Sequence, residues 1–214
     1  MTDSVLAKRV AKELLKIKAV FLRPNEPFTW ASGIKSPIYC DNRMTLAYPK
    51  SRRIIAEGMS QIIKEYFPTC EVIMGAATGG IPHAILTAEI LNMPVGYVRS
   101  DSKLHGRNNQ IEGATVESKN VIIIEDLIST AGSSVDVAIA LKEAKANVLA
   151  IISIFTYNLQ RGVDKLRSAN IINISLSDIN TLVDVALDEQ YINQKEKEMT
   201  LKFIANPSDI SWLD

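Results

Sequence analysis

Cysteine is scarce in this chain, with only Cys40 and Cys70 among 214 residues. They form no C-x-x-C pair and no Cys/His spacing, so a disulfide scaffold and a zinc site are excluded and both read as reduced thiols. Excess charge is missing too: 24 Lys plus Arg stand against 24 Asp plus Glu. That removes the general basic surface that nucleic acid or an acidic membrane would need. Long apolar runs are also lacking at the N-terminus, where Asp3, Lys8, Arg9, Lys12, Glu13, Lys16 and Lys18 interrupt the sequence. No signal peptide or membrane span is expected there, and a soluble cytoplasmic protein is. Internal repeats and low-complexity segments are absent. What remains is 47% hydrophobic and 22% charged, enough for a full core, in a length that suits one domain over 1–214.

The pattern of apolar residues changes along the chain. Val5, Leu6, Val10, Leu14, Leu15 and Ile17 recur at helical spacing and predict an amphipathic opening helix. From about 19 to 43, short alternating stretches broken by Pro24, Pro27, Gly33 and Pro37 predict hairpin-like strands that sit as a flap. A helix with Ile54, Ile55, Met59, Ile62 and Ile63 on one face follows. Apolar strand candidates at 71–74, 94–98, 120–124, 148–155 and 171–174 then alternate with helical stretches such as 81–91 and 133–144. Continuous apolar strands separated by helices predict an α/β doubly wound parallel sheet covered on both faces. A charged amphipathic helix over 190–204 closes the chain.

Open α/β sheets bind ligands beyond the carboxyl ends of their strands, so the turns there hold the chemistry. In Val121-Ile122-Ile123-Ile124-Glu125-Asp126-Leu127-Ile128-Ser129-Thr130-Ala131-Gly132-Ser133-Ser134 an apolar strand ends in two carboxylates, a small hydroxyl-rich turn and a helix. A helix N-terminus has free N–H groups, and Ser129, Thr130 and Ser133 add hydroxyls, which makes a monophosphate cradle. Carboxylates repel a phosphate unless aimed at hydroxyls or a metal. A ribose 5-phosphate meets both demands, with phosphate in the turn and sugar hydroxyls donating to Glu125 and Asp126. The turn has neither the Gly-Lys-Ser/Thr ending of a Walker A loop nor Gly-x-Gly-x-x-Gly.

A second turn, Met74-Gly75-Ala76-Ala77-Thr78-Gly79-Gly80-Ile81-Pro82, reads equally as an anion site or a plain tight turn. Two anion turns in one sheet would suit a ligand phosphorylated at both ends. The polar stretch 99–119 is long for a connection and reads as a lid or as a functionless loop. It carries Arg99, Lys103, His105 and Arg107, enough cations for a diphosphate, with Gly106 and Gly113 as hinges. His83 reads as a packing or surface residue.

The string 121–134 resembles the phosphoribosyl pyrophosphate motif of type I phosphoribosyltransferases. Arg99-Ser100-Asp101-Ser102-Lys103-Leu104-His105-Gly106 is similar to the lid of the orotate phosphoribosyltransferase family. Phe28-Thr29-Trp30-Ala31-Ser32-Gly33-Ile34-Lys35-Ser36-Pro37-Ile38-Tyr39 is similar to that family's N-terminal hood. The resemblance implies the type I phosphoribosyltransferase fold with a hood at about 19–43 and a mobile lid at about 99–119. It also implies transfer of a phosphoribosyl group to orotate, giving orotidine 5-monophosphate and diphosphate in pyrimidine nucleotide synthesis. Under it Glu125 and Asp126 hold the ribose hydroxyls, and Leu127, Ile128, Ser129, Thr130, Ala131, Gly132 and Ser133 cradle the 5-phosphate. Ser129 also reaches orotate. Lys103, His105 and Arg99 are the implied catalytic residues over the diphosphate, acting across a homodimer. Mg²⁺ is implied as a passenger of phosphoribosyl pyrophosphate, with no metal cage in the protein.

One branch of the family has lysines where this chain has Ala31, Gly79 and Ser100, and an arginine near Asn158. Other relatives resemble this chain there, so a branch difference is expected. Lys35 and Arg43 read as partners of the orotate carboxylate or as solvated turn cations. A purine phosphoribosyltransferase is the rival enzyme, against which the hood speaks. A non-catalytic sensor is the rival from another class; neutral charge and the retained Lys103 and His105 speak against it.

Overall fold

The structure is a computed structural model and describes residues 3–29, 33–99 and 110–213. Helix α1 (Ser4–Lys16) starts at Asp3, whose carboxylate accepts from the Val5 N–H, and buries Ala7, Val10, Ala11, Leu14 and Leu15. Two short antiparallel pairs follow, β1 (Val20–Leu22) with β4 (Ile38–Cys40) and β2 (Phe28–Thr29) with β3 (Lys35–Ser36). A 3₁₀ turn, Asn42–Ala47, leads into α2 (Pro49–Tyr66), which buries the expected Ile54, Ile55, Met59, Ile62 and Ile63.

The centre is a six-stranded sheet in the order β10 (Asn173–Asp178), β9 (Asn147–Thr156), β8 (Asn120–Ile128), β5 (Val72–Ala76), β6 (Val95–Val98), β7 (Ile111–Gly113). Every neighbouring pair is parallel except β6 with β7. Connections are made by α3 (Gly80–Leu91), α4 (Gly132–Glu143) and α5 (Gln160–Ser168), with α6 (Ile179–Asp188) and α7 (Gln194–Ala205) following β10. Alternation along β8 divides the core. Ile122 and Ile124 pack with residues of α1, α2, α3 and α6 on one face, while Val121 and Ile123 pack with α4 and Leu166 of α5 on the other. Both faces are covered, as the apolar strands require. No helix of the described residues is long and apolar enough to cross a membrane.

Three elements differ from the expectation. Strand β8 runs through Ile128 rather than stopping at Ile124, so Glu125, Asp126, Leu127 and Ile128 are strand residues and the turn begins at Ser129. Within 99–119, residues Ile111–Gly113 form an edge strand. Gly113, expected as a hinge, sits there at φ +94°, and a Cβ on it would stand 2.7 Å from the Gly96 Cα. It is packed against β6 in the sheet rather than standing as a free hinge. Strand β10 begins two residues late and extends to Asp178. Its Asn173 and Ser175 bond within the sheet, where the Ser153 and Ser175 hydroxyls lie 2.6 Å apart and Asn173 donates to the Ile151 carbonyl at 3.2 Å.

Candidate active site

The two turns lie at the carboxyl ends of adjacent strands β5 and β8. After β5 the chain passes through Ala77, Thr78 and Gly79 into α3, the Ala77–Thr78 peptide being cis. After β8 it passes through Ser129, Thr130 and Ala131 into α4. Ala131 is left-handed, at φ +57°, and no side chain caps the helix it begins. The first N–H groups of α4 are thus left for an anion, with the hydroxyl-bearing residues Thr130 and Ser133 exposed beside them. A cleft of about 290 Å³ lies next to both turns, lined among others by Ala77, Arg99, Gln110, Ser133 and Asp136.

The paired acids have different surroundings. Glu125 is 6% exposed; its carboxylate accepts from the Ser134 hydroxyl at 2.8 Å and from the Asp126 N–H at 3.0 Å. Burial, and then the neighbouring charge of Asp126, hold its pKa well above the ordinary carboxyl range. The Asp126 carboxylate is half-buried and lies directly over Gly79, where a Cβ would overlap it. A lysine at position 79, as in one branch of the family, would need Asp126 to move.

Below this pair is a polar cluster that sequence reasoning missed. Asn42 donates from Nδ2 to the Asp126 carbonyl oxygen at 2.6 Å, and Thr45 donates from Oγ1 to the Asn42 carbonyl at 2.6 Å. The Thr45 hydroxyl lies 3.3 Å from Nε2 of His83. His83 is wholly buried, and burial lowers its pKa to about 4, so its ring is neutral near pH 7. No motif marks these residues, because their partners are distant in the chain. Ser134 belongs to the recognised string, and its bond to Glu125 follows from its place one turn into α4.

The other expected site residues are placed as follows. Ile128 is only 2% exposed and joins the apolar core, so its side chain does not line the turn; Leu127 is half-buried in the strand. Arg99 ends the β6 side of the cleft and pairs through Nε with Glu112 of β7 at 3.0 Å. Lys103 and His105 lie outside the described residues, as do Ala31, Ser100, Gly106 and Arg107. Lys35 donates to the Thr29 hydroxyl at 2.7 Å, and Arg43 makes a two-point pair with Asp41 at 2.7 and 2.9 Å. Both cations therefore have local partners.

Comparison with known proteins gives the family and the fold. The phosphoribosyl transferase domain family matches residues 42–190. Orotate phosphoribosyltransferase of Bacillus cytotoxicus is 51% identical over 208 residues, which is 97% of this chain and 99% of the relative. That of Bacillus cereus strain G9842 is 50% identical over the same shares. Among solved structures, Leishmania donovani UMP synthase superposes with a TM-score of 0.80 at 23% identity, covering 92% of this chain and 42% of that longer one. Orotate phosphoribosyltransferase from Aeropyrum pernix superposes with a TM-score of 0.73 at 24% identity, covering 86% of this chain and 99% of that one. These two likenesses are of fold, the doubly wound sheet described above. With the domain family matched from 42 to 190 and half identity along nearly all of its length, this chain belongs to the phosphoribosyltransferase domain family and, within it, to the orotate phosphoribosyltransferases.

Proposed function

We propose that this chain transfers the 5-phosphoribosyl group from phosphoribosyl pyrophosphate to orotate, releasing diphosphate and forming orotidine 5-monophosphate for pyrimidine nucleotide synthesis. The observation that carries the sugar half of this reading is the Asp126 carboxylate beside an uncapped, hydroxyl-flanked helix N-terminus. The choice of orotate rests on the half-identical relatives. The 5-phosphate sits on Ser129, Thr130, Ala131, Gly132 and Ser133, and the ribose hydroxyls donate to Asp126. Glu125, turned to Ser134, fixes the peptide of Asp126 and takes a share of the sugar contact.

Orotate N1 attacks the anomeric carbon as the bond to diphosphate breaks. Positive charge grows on the sugar ring and negative charge on the leaving group. Groups aimed at those charges bind the transition state more tightly than the ground state. Arg99, Lys103 and His105 are assigned to the diphosphate; Arg99 exchanges Glu112 for it when the ligand binds. Mg²⁺ is assigned to the substrate, where it neutralises the diphosphate. The residues present suit such a passenger, since Glu125 is already engaged by Ser134 and the hard cation takes most of its ligands from phosphate and water. A homodimer with the lid shared between subunits, a single domain with hood 19–43 and a lid within 99–119 that leaves out strand β7, and a cytoplasmic location complete the proposal. The test is loss of orotate absorbance with purified protein, phosphoribosyl pyrophosphate and Mg²⁺. Turnover of orotate but not of adenine, hypoxanthine or uracil, abolished by chelation, is expected; comparable rates with a purine base overturn the reading.

A further inference from the structure

We propose that Asn42 is a positioning residue that aims the Asp126 carboxylate at the ribose of phosphoribosyl pyrophosphate. The inference rests on the phosphoribosyl-transfer reading above and adds a residue to it.

Asp126 stands two residues past the point where β5 stops pairing with β8. On the β5 side the register ends with Gly75 opposite Ile124, while on the β9 side it continues without a shift from Glu125–Ser153 to Leu127–Phe155, so only one edge of the strand is paired at Asp126. Side chains hold its peptide groups. Its N–H donates to Glu125 and its carbonyl accepts from Asn42 Nδ2 at 2.6 Å. A buried carbonyl left without a donor would cost about 1–3 kcal/mol or turn to find one, and the carboxylate on the same residue would turn with it.

Asn42 is itself fixed from several sides. It is 1% exposed, starts the turn that follows β4, and accepts at Oδ1 from the Cys40 thiol at 3.4 Å. Its carbonyl accepts the one proton of the Thr45 hydroxyl. Thr45 can then only accept from His83, which sets the His83 proton on Nε2. The Thr45 bond reaches the backbone carbonyl of Asn42, while the side-chain amide of Asn42 donates to Asp126, so His83 and Thr45 fix the backbone from which the Asn42 side chain projects. Together they tie the start of α3, just past Gly79, to the acid that lies over Gly79.

The test compares Asn42→Ala and Asn42→Asp by titration calorimetry with phosphoribosyl pyrophosphate and Mg²⁺. The aspartate keeps the shape of asparagine, but when ionised it has no donor for the Asp126 carbonyl. At pH 8 both variants should bind about tenfold to 100-fold more weakly than the unmodified chain. As pH falls toward 5.5 the new carboxyl takes up a proton and becomes a donor. The affinity of Asn42→Asp relative to the unmodified chain should then rise more than that of Asn42→Ala. Asp126, Glu125, His83, Cys40 and the Asp41–Arg43 pair surround the position; Asn42→Ala carries the pH dependence that these groups contribute, and only the recovery of Asn42→Asp in excess of it is read.

A purely structural role would lower the bound fraction without lowering affinity and would give no recovery. Unchanged affinity, or equal pH behaviour of both variants, overturns the inference. If Asn42→Ala fails to fold, Asn42→Asp decides alone. If the unmodified chain binds phosphoribosyl pyrophosphate but consumes no orotate, the functional proposal fails and the Asn42 question is still answered by affinity. If it does not bind at all, both fall.

Discussion

The turn after β5 and the turn after β8 look alike in sequence, each a run of small residues between an apolar strand and a helix, yet the structure uses them in opposite ways. After β5 the missing side chain of Gly79 leaves room that is already filled from within the protein, by the carboxylate of Asp126. After β8 the room is left open, with Ala131 in a left-handed conformation and α4 uncapped. One turn is a bed for an acid and the other leaves an uncapped helix N-terminus open, as the proposed binding of the 5-phosphate requires. The lesson is that a glycine next to a phosphate site does not by itself mark where the phosphate goes. What the backbone is close to decides it.

The largest effect that tests this contrast is expected from Gly79→Ala. The backbone there is ordinary helical conformation, φ −67° and ψ −30°, which alanine adopts freely. The substitution strains no backbone dihedral, and the nearest atoms its Cβ meets are those of the Asp126 carboxylate, which must move. Turnover, as kcat/KM for phosphoribosyl pyrophosphate, should fall about 100-fold with melting temperature nearly unchanged. A loss no greater than that of a single hydroxyl in the other turn would break the comparison.

Thr130→Ala and Ser133→Ala come next. Each removes one hydroxyl from an exposed place beside the anion. A hydrogen bond to a charged group is worth about 1.5–3 kcal/mol, and at exposed positions the lower end applies, so each should weaken phosphoribosyl pyrophosphate about tenfold. Because these side chains do not touch Asp126, their effects should add to that of Gly79→Ala when free energies are compared. Strong non-additivity would mean that the two turns work as one site rather than as bed and open turn.

Glu125→Gln tests the acid pair through stability. The fold raises the pKa of Glu125, so it favours the protonated form. That contribution is fully present below the ordinary glutamate value of about 4.3 and is lost as pH rises through the raised value in the folded chain. The variant cannot ionise. Its melting temperature relative to the unmodified chain should climb from pH 5 and level off above about pH 8, even if it is lower at pH 5 because one of the bonds from Ser134 and the Asp126 N–H is lost. A flat difference across that range would mean that Glu125 is ionised throughout.

These contrasts also mark what the sequence could show. The run Val121–Ile124 announces a buried strand, and the small, hydroxyl-rich string beyond it announces a turn into a helix, because both signals are local. Strand β7 is not legible, since its three residues include one large apolar side chain and are held by backbone pairing to β6. Strand β10 is obscured because Asn173, Ser175 and Ser177 make it look like a surface loop, although Ser175 meets Ser153 in the sheet. The support of Asp126 was beyond reach for a different reason. Asn42 lies 84 residues from the carbonyl it holds, and Thr45 lies 38 from His83. Single-residue contacts of that separation leave no periodicity and no motif.

The smallest expected effect comes from Ala131→Gly. Alanine at φ +57° and ψ +13° carries the steric penalty of the left-handed region, about 1 kcal/mol, which glycine does not. Glycine loses more chain entropy on folding, an opposing term of about 0.5–1 kcal/mol. The two nearly cancel, so melting temperature should change by no more than about 2 °C in a chain of this size. Ligand affinity separates two accounts of the strain. If the left-handed alanine holds the first N–H groups of α4 on target, loosening it with glycine should weaken phosphoribosyl pyrophosphate by a few-fold, about 0.5–1 kcal/mol, at unchanged melting temperature. If it is only a local irregularity, affinity will not move. The first result would make the open turn pre-shaped for its anion, in the way that Asn42 and Glu125 hold Asp126 in the other.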